Sequence, residues 1–145
     1  MYKSPIFFVL LGLAFLGCSQ NSENSAFEKS EKLEISGTIE LTKKLEPRVS
    51  EGDTIFLIAR SAQGGPPLAV KRWVGKNYPY NFTLTNQDLM RPEQVPDEPL
   101  NLSVRVDKDG DAMSKNSGDL TGTYAKNPVP LRIDKITILV DEALP

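Results

Sequence analysis

The chain has 145 residues, 39% of them hydrophobic and 25% charged, which suits one ordinary globular domain. Its 17 basic against 19 acidic residues leave no positive excess to neutralise phosphates, so nucleic acid is excluded as a partner. It has no histidine and a single cysteine, Cys18. That removes histidine general-base catalysis, a Cys–His nucleophile, a Cys/His zinc site, a histidine-ligated haem and an internal disulfide. No catalysis, no cofactor and no metal site are expected.

The first element is an address. Lys3 gives residues 1–17 a short positive start, and an apolar run of 11 residues follows from Ile6 to Leu16. As a helix that run would span about 17 Å, against roughly 30 Å of bilayer hydrocarbon, so it reads as a signal peptide and not as a membrane span. It ends in Phe15-Leu16-Gly17-Cys18, which resembles the lipobox of bacterial lipoproteins. Gly17 and Cys18 match that motif; Phe15 and Leu16 stand where it has an aliphatic and then a small residue. The resemblance implies that Cys18 is acylated and anchors the mature chain to a membrane. Ser19, in place of an inner-membrane retention Asp, implies the outer membrane and a periplasm-facing domain. Residues 18–32 then form a polar tether of about 20 Å mean reach.

From residue 33 onward the pattern has period two, and residues 33–145 are expected to form one domain. Leu33, Ile35, Ile39 and Leu41 share a face, as do Tyr80, Phe82 and Leu84, and then Leu100, Leu102, Val104 and Val106. A strand with one buried and one wet face gives this alternation. On that reading Val104→Asp is costly, and Arg105→Asp on the opposite face costs little. Residues 54–61 (TIFLIARS) are apolar on both faces and read as a central strand, and residues 135–141 (KITILVD) look similar. PLAVKRWV (67–74) and a weaker segment from Leu120 to Tyr124 complete about seven strands, with Gly64-Gly65 supplying a tight reversal. An all-β, antiparallel sandwich is predicted. Residues 86–99 form a proline-stiffened connection that reads either as functional or as a crossover between sheets.

The acidic segment Asp107-Lys108-Asp109-Gly110-Asp111 begins like a calcium-binding EF-hand loop. Ala112 and Gly118 then stand where that loop needs Gly and Glu, so a turn is the better reading.

Several segments in order resemble the immunoglobulin-like C-terminal domain of the cytochrome c-type biogenesis protein CycH (also CcmI, or CcmH in fused form). They are Ser36-Gly37-Thr38-Ile39, Gly52-Asp53-Thr54-Ile55-Phe56, Ala59-Arg60-Ser61, Gly65-Pro66-Pro67-Leu68-Ala69-Val70 with Arg72, Tyr78-Pro79, Phe82-Thr83-Leu84, Asp111-Ala112-Met113 and Gly118-Asp119-Leu120-Thr121-Gly122. The resemblance covers residues 36–141 and implies an immunoglobulin-like sandwich in the periplasmic machinery that holds apocytochrome c during haem attachment. The tetratricopeptide repeats that grip the apocytochrome tail in larger members do not occur in this sequence.

The expected function is therefore a lipid-anchored protein-binding module, an accessory in cytochrome c-type biogenesis whose partner is apocytochrome c or an assembly factor. The alternative is a structural envelope lipoprotein unrelated to cytochromes. The candidate partner-binding residues are Arg60, Lys71, Arg72 and Trp73, three cations beside the only tryptophan. Trp73 capping the sandwich edge, or contact through residues 86–99, are the competing assignments.

Overall fold

A computed structural model describes residues 32–111 and 114–145. The signal peptide, Cys18 and all of the tether except Lys32 lie outside the described residues. Eight strands follow in order: β1 (Glu34–Leu41), β2 (Thr54–Ser61), β3 (Pro67–Val74), β4 (Tyr80–Thr85), β5 (Leu100–Asp107), β6 (Leu120–Thr123), β7 (Arg132–Val140) and β8 (Glu142–Ala143). One sheet has the order β4-β1-β7 and the other β3-β2-β5-β6-β8. The two sheets form an immunoglobulin-like sandwich. All pairings of the named strands are antiparallel except β1 with β7, which run parallel.

The alternation becomes burial. Ile35 and Ile39, Ile55 and Leu57, Leu102, Val104 and Val106, and Ile138 and Val140 are fully buried between the sheets. Each such side chain contributes about 1.5–3 kcal/mol relative to exposure. As the two apolar faces of its sequence predict, β2 is central, between β3 and β5. The similar reading of residues 135–141 needs correction, because β7 lies at a sheet edge with Thr137 and Leu139 exposed. One apolar side chain on an outer face is enough to imitate burial on both sides.

The connection over residues 86–99 carries the chain from the first sheet to the second. It opens with a 3-10 turn, Asn86–Asp88, whose N-terminus is closed by a reciprocal capping box between Thr85 and Asp88. Leu89 then drops into the core.

Near the C-terminal sheet edge, a side chain substitutes for a strand. Asn127 accepts from Leu102 N–H through Oδ1 and donates to Leu102 C=O through Nδ2, both at 2.9 Å. Leu102 is fully buried, so Asn127→Ala leaves a backbone N–H without its partner. A loss of about 1–3 kcal/mol in urea unfolding is expected, and Asn127→Asp, which keeps the acceptor and loses the donor, should fall in between.

Candidate functional site

The four candidate residues sit on or beside the β2–β3 pair, but on two faces. Ala69 is fully buried, which fixes the odd-numbered side chains of β3 toward the core and Val70, Arg72 and Val74 toward the outer face. On β2 the same logic puts Ile55, Leu57 and Ala59 inside and Phe56, Ile58 and Arg60 outside. Arg60 and Arg72 therefore share the outer face. Their positions are four residues apart in register, about 13 Å at 3.3 Å per residue.

Lys71 and Trp73 lie on the inner face. As a half-buried wall, Trp73 packs against the core, with its ring 6.0 Å from Tyr80, which meets Tyr78 edge-on at 5.0 Å. Lys71 lays its stem along the sandwich edge, and its ammonium donates to Thr83 C=O at 2.9 Å and to Asp88 Oδ1 at 3.1 Å. It thus joins β3 to β4 and to the 3-10 turn after it. A lysine can occupy an inward position on an edge strand because its long stem delivers the charge to the rim. Trp73 thus caps the sandwich edge, the competing assignment read from the sequence.

The outer face has its own small apolar patch. Phe56 and Ile58 are nearly buried there, with Arg72 opposite Phe56 and Val70 opposite Ile58 across the β2–β3 ladder. The Arg105 guanidinium lies 5.9 Å from the centre of the Phe56 ring. Arg105 is committed elsewhere as well: its Nη2 donates to Asp107 Oδ2 at 3.0 Å and to Asp111 C=O at 2.9 Å. By contrast, among the described residues neither Arg60 nor Arg72 has an ion-pair partner, and β2 and β3 place no carboxylate on this face. Two free guanidiniums beside exposed Val74 are groups suited to a protein partner carrying carboxylates.

The acidic segment after β5 is a turn. The Asp107 carboxylate is completely buried and its Oδ1 accepts from the N–H groups of Asp109, Gly110 and Asp111. Asp109 accepts from Asp111 N–H and Asn116 Nδ2, and Asp119 from Lys108 N–H and Asn116 N–H. Lys108 Nζ meets Arg48 C=O and Asp53. Burial pushes the Asp107 carboxyl up, while the Asp111 N–H draws Asp109 down. These oxygens are spent on closing the turn, and among the described residues no group of three or more acidic, histidine or cysteine side chains is placed to hold a metal ion.

A shallow cleft of about 570 Å³ lies elsewhere, lined by Glu40, Leu41, Glu46, Val49, Lys76 and Tyr78, with Asn77 and Pro79. Lys76 pairs with Glu51 at 3.2 Å. Burial pushes the Tyr78 phenol well above its usual range, so the ring is a neutral wall.

Three likenesses bear on the chain as a whole. A protein of Aquifex aeolicus (strain VF5), described there as uncharacterized, is 29% identical over 123 residues, covering 79% of this chain and 81% of that protein. The structure of an alternative pilotin from the type II secretion system of Vibrio cholerae is similar at 11% identity with a TM-score of 0.46, over 77% of this chain and 99% of the pilotin. The family model described as the cytochrome c-type biogenesis protein H Ig-like domain matches residues 35–141, from β1 to the residue after β7, and the chain belongs to that family.

Proposed function

We propose that this protein is a non-enzymatic accessory in cytochrome c-type biogenesis, anchored through acylated Cys18 to the outer membrane and facing the periplasm, where it binds apocytochrome c or an assembly factor. The observation that carries this reading is the family match, which spans nearly the whole sandwich. The binding surface in this proposal is the outer face of β2 and β3, with Arg60 and Arg72 as contacts and Lys71 and Trp73 as the supports that hold β3 against the core. Two unpaired guanidiniums on a protein of net charge −2 support that choice of face.

Two measurements test it. Cells fed labelled palmitate should tag the wild type and not Cys18→Ser; equal labelling of both, or of neither, removes the anchor. Deleting the gene should lower covalently attached haem in c-type cytochromes, read by haem staining and by the reduced-band absorbance of envelopes. Wild type should restore it, and a folded Arg60→Glu/Arg72→Glu double variant should not. Unchanged cytochrome content after deletion would remove the biogenesis role.

A further inference from the structure

We infer that the outer edge of β3 accepts an extended, acidic segment of the partner protein as an added strand. This rests on the protein-binding reading above and names the mode of contact and the chemistry of what binds.

The free edge follows from register. Gly75 N–H donates to Asp53 C=O on the β2 side, whereas Leu68 C=O accepts from Met90 N–H on the other side. Hydrogen-bonding direction alternates along an antiparallel strand, so Ala69, Lys71 and Trp73 bond to β2, and the N–H and C=O groups of Val70, Arg72 and Val74 point away from it. The segment at Leu89–Met90 covers only the beginning of this edge, through an antiparallel bridge of Ala69 with Leu89. Beyond it, among the described residues, Arg72 and Val74 have no strand alongside, and Val74 is 55% exposed.

Two of the other edges are blunted. On β4, Lys71 caps Thr83 C=O and Asp88 caps Thr85 N–H. The opposite end of the larger sheet is the two-residue β8. Where it leaves β7, the chain bonds to β6 through Asp141 N–H and Thr121 C=O. An uncovered strand edge is a template for pairing, and proteins that do not use one usually hide it.

The side chains say what would pair there. Arg72 projects on the outer face next to the free edge, with Arg60 on the same face, and β2 and β3 offer no carboxylate to neutralise either. A strand added beside β3 would place alternate side chains on that face, so carboxylates at alternate positions would lie there with Arg72, and the apolar residues between them would turn to the inner side, where Trp73 packs.

The test uses the full chain in detergent with two synthetic heptapeptides, one alternating Glu and Val and one alternating Lys and Val. By NMR, the Glu peptide should slow hydrogen exchange of the Arg72 and Val74 amides by about tenfold or more, leave Trp73 unchanged, and bind Arg72→Glu about tenfold more weakly. The Lys peptide, and a Glu peptide N-methylated at alternate residues, should give no protection. Absence of protection at millimolar Glu peptide, or equal protection by the Lys or N-methylated peptide, would overturn strand addition. Protection with unaltered haem attachment in the Arg60→Glu/Arg72→Glu cells would keep the edge and remove the cytochrome reading. Loss of haem attachment without protection would do the reverse.

Discussion

Arg105→Asp is expected to destabilise the domain by about 3–5 kcal/mol, as much as a charge placed in the core, although Arg105 occupies the outward position of an alternating strand. Arg105 is only 7% exposed, and the Asp107 beside it is fully buried. It is paired at 3.0 Å, bonded to the acidic turn and laid over Phe56. The substitution removes all three contacts and sets a second carboxyl beside a buried one. Burial first, and then the Asp109 side chain, already hold the Asp107 carboxyl above its ordinary pKa, with Arg105 among the groups pulling the other way. Without Arg105 the folded variant binds protons more readily than its unfolded chain. Its stability is then greatest below the unfolded carboxyl pKa and is lost as pH rises through the higher folded value. Urea unfolding followed by Trp73 fluorescence should show a smaller deficit at pH 4 than at pH 7. A loss below about 1 kcal/mol at pH 7 would mean that Arg105 is solvated like an ordinary surface cation.

Arg105 also marks where local sequence stops being informative. The inner residues of β5 were legible because Leu100, Leu102, Val104 and Val106 recur with period two. Their alternation says nothing about what stands opposite Arg105 on the neighbouring strand. That neighbour is Phe56, about fifty positions away in the chain, and pairing across β2 and β5 decides that the guanidinium is covered. The same limit applies to β7, whose parallel partner β1 is far off in sequence. At two residues, β8 is too short to show any period.

For the candidate surface, parity was legible and direction was not. The sequence separates Leu68, Val70, Arg72 and Val74 from Ala69, Lys71 and Trp73 without saying which set faces inward. Composition favours the wrong choice, since a lysine between two core positions reads as a wet face. Lys71 resolves this by reaching Thr83 and Asp88 at the rim, and the surface that remains keeps Arg60 and Arg72 while Trp73 becomes its support. Family membership was legible because short turn and strand segments keep one order over the whole domain. Hydrogen-bond direction along β3 is set by its ladder with β2, which the strand's own residues do not encode.

Gly37→Val is expected to cost about 4 kcal/mol or more, most of the 5–15 kcal/mol that holds a typical domain together. In sequence, Gly37 is only a gap in an apolar alternation. In the sandwich it is where β7 comes too close for any side chain: a Cβ on Gly37 would lie 2.1 Å from Ile136 O, a backbone atom that cannot swing aside. The cause is a shift in the β1–β7 register. Ile35 pairs with Ile133 but Gly37 with Ile136, so β7 carries an extra residue there and Lys135 takes a left-handed φ of 55°. Gly122 meets β7 from the other sheet in the same way, with Leu139 O 2.0 Å from its missing Cβ. The two glycines let one strand lie against both sheets, so Gly122→Val should be comparably damaging. Lys135→Gly in the same bulge should behave differently. Relief of the left-handed strain, about 1–2 kcal/mol, is largely offset by the greater freedom of glycine in the unfolded chain, which leaves a gain of no more than about 1 kcal/mol. Thermal melts of the three variants by circular dichroism separate the causes. A Gly37→Val protein melting with the wild type would mean that β1 and β7 do not approach this closely. A Lys135→Gly loss as large as that of Gly37→Val would show that the lysine side chain, and not the backbone, holds the bulge.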